Sequence, residues 1–143
     1  MTEQTRQLTA EVISIGDEMT SGARLDTNTQ WLSRRLGDLG IKVSFHTTVA
    51  DTLEQNVDVF RIAAERVDIL VSTGGLGPTR DDLTREALAN VLGTPLELNP
   101  SAMQHIEQMF ARRKRKMPER NRVQAMFPTG SQQIFNPQGT APG

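Results

Sequence analysis

Three glycines and two carboxylates share one ten-residue run, Thr73-Gly74-Gly75-Leu76-Gly77-Pro78-Thr79-Arg80-Asp81-Asp82. Residues without a Cβ let backbone N–H groups approach phosphate oxygens and tolerate positive φ. A helix starting just after such a loop adds the positive end of its dipole. Phosphate binding through Thr73, Gly74, Gly75, Leu76, Gly77 and Thr79 is the expected chemistry. The run is not a P-loop, because no Gly-Lys-Ser/Thr follows. Nor is it a dinucleotide fingerprint, since Arg80 stands where the third glycine of Gly75-Leu76-Gly77-Pro78-Thr79-Arg80 should be. The same spacing also suits a tight strand-to-helix turn in which Asp81 or Asp82 caps the helix, worth about 1 kcal/mol.

Carboxylates beside a phosphate cradle repel the ligand unless a cation lies between them. Asp81 and Asp82, with Asp17, therefore form a candidate site for Mg²⁺ or a similar divalent metal. Asp81 and Asp82 are the candidate catalytic acids of the loop. Asp51 could orient an attacking water, or it could simply cap a helix with Glu54 as its capping-box partner. Glu18 reads equally as a solvated loop acid. Ser21 and Gly22, after Thr20, could donate further hydrogen bonds to phosphate, although such loops are common. His46 and His105 have no second His or Cys at ligand spacing. The basic run Arg112-Arg113-Lys114-Arg115-Lys116 complements the negative end of a helix and lacks the aromatic company of a nucleic-acid patch.

These residues need elements to position them. A buried strand is expected at residues 11–15, followed by a loop and then a helix from about Asn28, with Trp31, Leu32, Leu36 and Leu39 on its apolar face. Thr27 with Gln30 resembles its capping box, and Asp26 could cap instead. Alternation marks a second strand at residues 41–49, and Leu53, Val57, Phe60 and Ala64 mark a second helix. A third strand at residues 68–72 runs into the glycine loop, and a third helix carries Leu83, Ala87, Leu88 and Val91 up to Gly93. Three consecutive strand-helix units predict a mostly parallel sheet with helices on both sides, a three-layer α/β/α fold. Asn99 and Pro100 announce a further helix. A short helix at residues 122–126 and a fourth strand at residues 133–135 are expected after it. In such sheets the loops at the carboxyl ends of the strands share one edge, where ligands bind. That edge should gather Asp17, Asp51, the glycine loop and the loop around Gly139, Thr140 and Ala141.

At 143 residues the chain can bury one core, and roughly 70% of its unfolded surface with it. Residues 1–9 read as a flexible lead-in and residues 10–143 as one domain. Sixteen basic and seventeen acidic side chains leave a net charge of −1, so no global field marks a nucleic-acid or membrane binder. The absence of cysteine excludes disulfides, thiolate zinc sites and cysteine nucleophiles. No signal peptide or spanning segment is evident, so a cytoplasmic protein is expected. Its partner should be a small molecule, and it should form a homo-oligomer, a dimer or trimer.

In order along the chain, the motifs Gly16-Asp17-Glu18, Ser21-Gly22, Asp26-Thr27-Asn28, the glycine run to Thr79, Asp81-Asp82-Leu83-Thr84, Glu86-Ala87 and Gly139-Thr140-Ala141-Pro142-Gly143 form a specific set. The chain resembles the N-terminal domain of the competence/damage-inducible CinA proteins, within the molybdopterin-binding superfamily of MogA, MoaB and MoeA. Leu76, where the molybdopterin enzymes usually have Thr, is similar to the CinA form. The resemblance implies a molybdopterin-binding-domain-like fold and adds Asn28 to the ligand-binding residues. It also implies metal-dependent hydrolysis of the ADP-ribose pyrophosphate. Two alternatives are molybdopterin binding with adenylyl transfer in cofactor assembly, and a nucleotide-binding module without turnover. Family members normally continue past the Gly-Thr-Ala-Pro-Gly loop into another strand and helix, so the domain is expected to be truncated at residue 143.

Overall fold

A computed structural model describes residues 6–143 of the chain. The strands β1 (Thr9–Ile15), β2 (Lys42–Val49) and β3 (Ile69–Thr73) form a parallel sheet in the order β2-β1-β3. Ile15 pairs with Val49, and Ser14 pairs with Thr73. All three strands therefore end at the same level, and the segments leaving them share one edge. Part of the expected lead-in, residues 1–5, lies outside the described residues. Arg6 is already tied to Asp68 by a 2.6 Å ion pair just before β1 begins.

The central strand explains the layering. Ala10 and Val12 face one side, where they pack with Leu36 of α2 (Thr27–Asp38). Ile13 and Ile15 face the other, against Val57, Phe60 and Ala63 of α3 (Leu53–Arg66) and Ala87 of α4 (Thr84–Leu92). A strand covered on both faces should read as a continuous apolar run. Glu11 and Ser14 break that run, yet both are fully buried. Glu11 is matched by Arg66, whose Nε and Nη2 donate at 2.8 and 2.6 Å, and by the Thr47 hydroxyl. The Arg66 guanidinium in turn stacks on Phe45 at 3.9 Å from the ring centroid. Ser14 donates to Asp26 and is bonded to Thr29 at 2.9 Å.

Several local expectations change. The loop after β1 contains a short helix, α1 (Asp17–Thr20). Asp26, not Thr27, caps α2, accepting from Thr29 N at 2.9 Å. Asp51 does not cap α3: the N-cap is Thr52, without a side-chain bond, because the Asp51 carboxylate is turned towards the amide of Asp17. Neither Asp81 nor Asp82 caps α4, whose N-cap is Leu83.

Beyond α4 lies a small second sheet, in which β4 (Leu96–Leu98) runs antiparallel to β5 (Met126–Pro128). Three residues are too few for alternation to reveal either strand. Between them α5 (Pro100–Arg112) is capped by Asn99, with Pro100 opening it as expected, and a 3-10 helix spans Glu119–Ala125. Ala102, Ile106 and Ala125 form the core of this part, with Met103, Phe110, Met117 and Phe127 against it. The basic residues 112–116 are exposed at the end of α5. The strand expected at residues 133–135 is not formed. The backbone of Ile134 exchanges hydrogen bonds with Gly143 and closes the terminal segment on itself instead of joining a sheet.

Candidate functional site

A cleft of about 130 Å³ opens at the common strand edge, lined by Ser14, Glu18, Arg24, Asp26, Asn28, Thr73 and Gly74, among others. Pockets that enclose a whole drug-sized ligand run to roughly 300–1,000 Å³. This one admits a phosphate or one end of a ligand. Asn28 Nδ2 donates to the Thr73 hydroxyl at 3.1 Å, so two of the expected ligand-binding side chains meet across the cleft. Its floor is the Ser14-Asp26-Thr29 network. Burial works against ionisation of Asp26, but the bonds from Ser14, the Thr29 hydroxyl and the Thr29 amide, with the charge of His46, hold its carboxyl below the usual range.

The glycine loop is bound to α4 through its carbonyls. The Thr84 hydroxyl donates to Gly74 O at 2.8 Å, and the Thr84 amide donates to Gly75 O at 3.2 Å. Arg85 donates to Leu76 O at 2.7 Å and to Gly77 O at 2.6 Å. Four consecutive carbonyls thus point towards the start of α4. In a trans peptide the N–H points opposite to the C=O, and the chain has no cis peptide among its described residues. The amides of Gly75 and Leu76 are consequently directed away from α4, as in an anion-binding nest.

The glycines themselves have a packing reason. A Cβ on Gly74, at φ 102°, would lie 2.1 Å from Ile15 O, and one on Gly75, at φ 67°, would lie 2.2 Å from Thr84 Oγ1. The loop can press against β1 and α4 only without side chains there. Asp82 closes its far end by accepting from the Thr79 amide at 2.8 Å and the Thr79 hydroxyl at 2.6 Å. Burial opposes the charge on Asp82, but these two bonds, one from the Gly77 amide and the nearby Arg85 keep its pKa below the ordinary aspartate value. Asp82 and Thr79 serve the loop's own shape.

The acids at the edge form a second group. The Asp17 amide donates to Asp51 Oδ2 at 3.0 Å, and the Asp51 amide donates to Asp17 Oδ1 at 2.9 Å, a reciprocal link between the ends of β1 and β2. Asn56, fully buried, steadies that link by donating to Ala50 O at 3.0 Å and Thr52 O at 2.7 Å on either side of Asp51. The Asp51 pKa is raised, first by burial and then by the negative charges of Asp17, Glu18 and Asp81, against the pull of the Asp17 amide. The expected metal set is not assembled as such. Asp82 faces Thr79, and among the described residues no three or more His, Cys, Asp or Glu side chains are grouped to hold a metal ion.

Ser21 and Gly22 lie exposed in the turn after α1, outside the lining of the cleft. Gly139, Thr140 and Ala141 are not gathered at the strand edge. Their segment is fastened to α5, where His105 Nε2 lies 3.0 Å from Asn136 O, and Asn136 Nδ2 holds Ala141 O at 2.9 Å. The main contributors that sequence reasoning missed are Arg85, Thr84 as a loop anchor, Asn56 and Ser14. Arg85 had one legible signal: it lies four residues before Ala89, which places a cation on a buried helix face.

Residues 11–143 match the family model described as a probable molybdopterin binding domain. A CinA-like protein of Gloeothece citriformis is 46% identical over 136 residues, which are 95% of this chain and 33% of that protein. The chain spans about a third of the length of the curated relatives it matches. The crystal structure of CinA from Thermoplasma acidophilum, a protein described as of unknown function, superposes with a TM-score of 0.88 at 33% identity. It covers 96% of this chain and 80% of that one. The molybdopterin biosynthesis enzyme MoaB of Thermus thermophilus shares the fold, with a TM-score of 0.54 at 20% identity over 85% of this chain and 79% of its own. No helix among the described residues is long and apolar enough to cross a membrane. With its glycine loop, acid edge and three-layer fold, the chain belongs to the molybdopterin-binding domain family as a CinA-like member.

Proposed function

We propose that the chain binds the pyrophosphate of a nucleotide on its glycine loop and hydrolyses it with a divalent metal, ADP-ribose or a similar nucleotide being the substrate. The observation that carries this reading is the loop's orientation. Four carbonyls are turned to α4, so the amides of Gly75 and Leu76 are offered to an anion. Asn28 and Thr73 would hold the same phosphates from the cleft.

The acids fit a metal ion in one respect. Like charges from Asp17, Glu18 and Asp81 crowd Asp51, and a divalent cation would relieve that repulsion. Asp17 and Asp81 would hold it, with phosphate oxygens completing its shell, as Mg²⁺ commonly binds. When bound, such an ion polarises phosphoryl oxygens and neutralises their charge. Asp51, tied to Asp17 at the same edge, takes the proton from the water that attacks phosphorus. The new P–O bond forms as the bridging P–O bond breaks, releasing AMP and ribose phosphate. Asp82 keeps the loop in shape.

The test is incubation of the chain with ADP-ribose and Mg²⁺ against a metal-free control. No AMP above that control sinks hydrolysis, and saturable binding without product leaves the non-catalytic module. Molybdopterin binding with adenylyl transfer is the second reading, favoured by the match of residues 11–143 to that domain family. Titration with molybdopterin and ATP separates it: saturation by molybdopterin with no ADP-ribose turnover selects it.

A further inference from the structure

Arg85 is a buried cation with no direct ion pair among the described residues. The residue is only 5% exposed. Its donors meet only the carbonyls of Leu76 and Gly77. A buried charge is expensive unless an opposite charge lies close by. Burial accordingly pushes its pKa down, against the more distant carboxylates of Glu86 and Asp82.

The peptide dipoles give that charge a direction. The negative ends of four consecutive carbonyls converge on Thr84 and Arg85. Pro78 has no N–H and the Gly77 amide is taken by Asp82, so the amides of Gly75 and Leu76 are the two positive ends left facing away from α4. The guanidinium stabilises this alignment from behind, and an anion in front of the loop would add opposite charge at the exposed ends of the same dipoles. We propose that Arg85 is a positioning residue of the phosphate loop, whose charge makes the loop select a pyrophosphate group over a phosphate that carries a single negative charge. This rests on the phosphate-binding reading of the loop and names the charge class of its ligand.

The experiment titrates the full chain with inorganic pyrophosphate and with dimethyl phosphate at constant ionic strength, as wild type, Arg85→Met and Arg85→Lys. Circular dichroism checks folding of each. The wild type is expected to prefer pyrophosphate at least ~10-fold, and Arg85→Met to lose at least ~10-fold in pyrophosphate affinity while dimethyl phosphate changes less than ~3-fold. Arg85→Lys keeps the charge and loses the two-pronged geometry, and it should recover most of the pyrophosphate affinity. The inference is overturned if Arg85→Met binds pyrophosphate as the wild type does, or if Arg85→Lys loses as much as Arg85→Met. A wild type that binds no pyrophosphate at all refutes the phosphate reading of the loop as well. Should Arg85→Met not fold, the wild type decides through nuclear magnetic resonance. The Arg85 Nε–Hε signal must shift on pyrophosphate titration in parallel with the Gly75 and Leu76 amides, and an unmoved signal overturns the inference.

Discussion

Asp51 is where local electrostatics and chemistry meet. Its carboxylate is held by one amide, that of Asp17, and repelled by three neighbouring acids, so its ionisation costs the folded state free energy. The sign follows directly: with its pKa raised on folding, Asp51 contributes stability below the ordinary aspartate value of about 3.9 and loses it as pH rises through the folded value. Asp51→Asn keeps the acceptor for the Asp17 amide and removes the charge. We expect it to melt at or above the wild-type temperature near neutral pH, while ADP-ribose hydrolysis falls by roughly 10²–10⁴-fold. Full activity in Asp51→Asn removes Asp51 from the role of base.

At the scale of elements, the loop between β3 and α4 is organised by packing before any ligand arrives. Gly75→Ala would force a Cβ into Thr84 Oγ1 at a positive φ, and we expect a loss of about 1–3 kcal/mol with loss of phosphate binding. Gly37 is the internal comparison. It lies inside α2 with no heavy atom within 4 Å of a built Cβ and no positive φ. Gly37→Ala should therefore stabilise the chain by about 0.5–1 kcal/mol and leave binding alone. Thermal melts of the two variants check both directions, and equal effects would mean that the loop is looser than its contacts imply.

For the molecule as a whole, the ion pair inside the sheet ties the layers together. Glu11 sits in the central strand, Thr47 beside it in β2, and Arg66 at the end of α3. Burial disfavours the Glu11 carboxylate, yet the bonds from Arg66 and Thr47 and the charge of Arg66 outweigh it and lower its pKa. A lowered pKa means that the stabilisation is complete above the ordinary glutamate value of about 4.3 and is lost as pH falls below it. Acid unfolding should therefore begin at higher pH in Glu11→Gln. Glu11→Ala, which leaves Arg66 unpaired at the sheet, should lower the melting temperature by roughly 10 °C at neutral pH. An unchanged acid transition would show that Glu11 and Arg66 contribute nothing net.

Periodicity by itself determined the three strand-helix units and the parallel sheet, because apolar spacing follows directly from which face of each element is buried. It also placed Asp17, Asp51 and the glycine loop at one edge, since parallel strands must end together. Chain order says nothing about which donor a carboxylate will find, and there the tertiary structure decided. It turned Asp51 from a helix cap into a partner of the Asp17 amide, and it gave Asp82 the Thr79 amide and hydroxyl and the Gly77 amide as partners. It carried Gly139, Thr140 and Ala141 to α5 through Asn136 and His105, and it revealed short strands that no alternation could mark. Above all, the glycine loop was legible as a motif, but its polarity was not. Only the packing of Thr84 and Arg85 beneath it fixes which way its carbonyls point, and so which way its amides face.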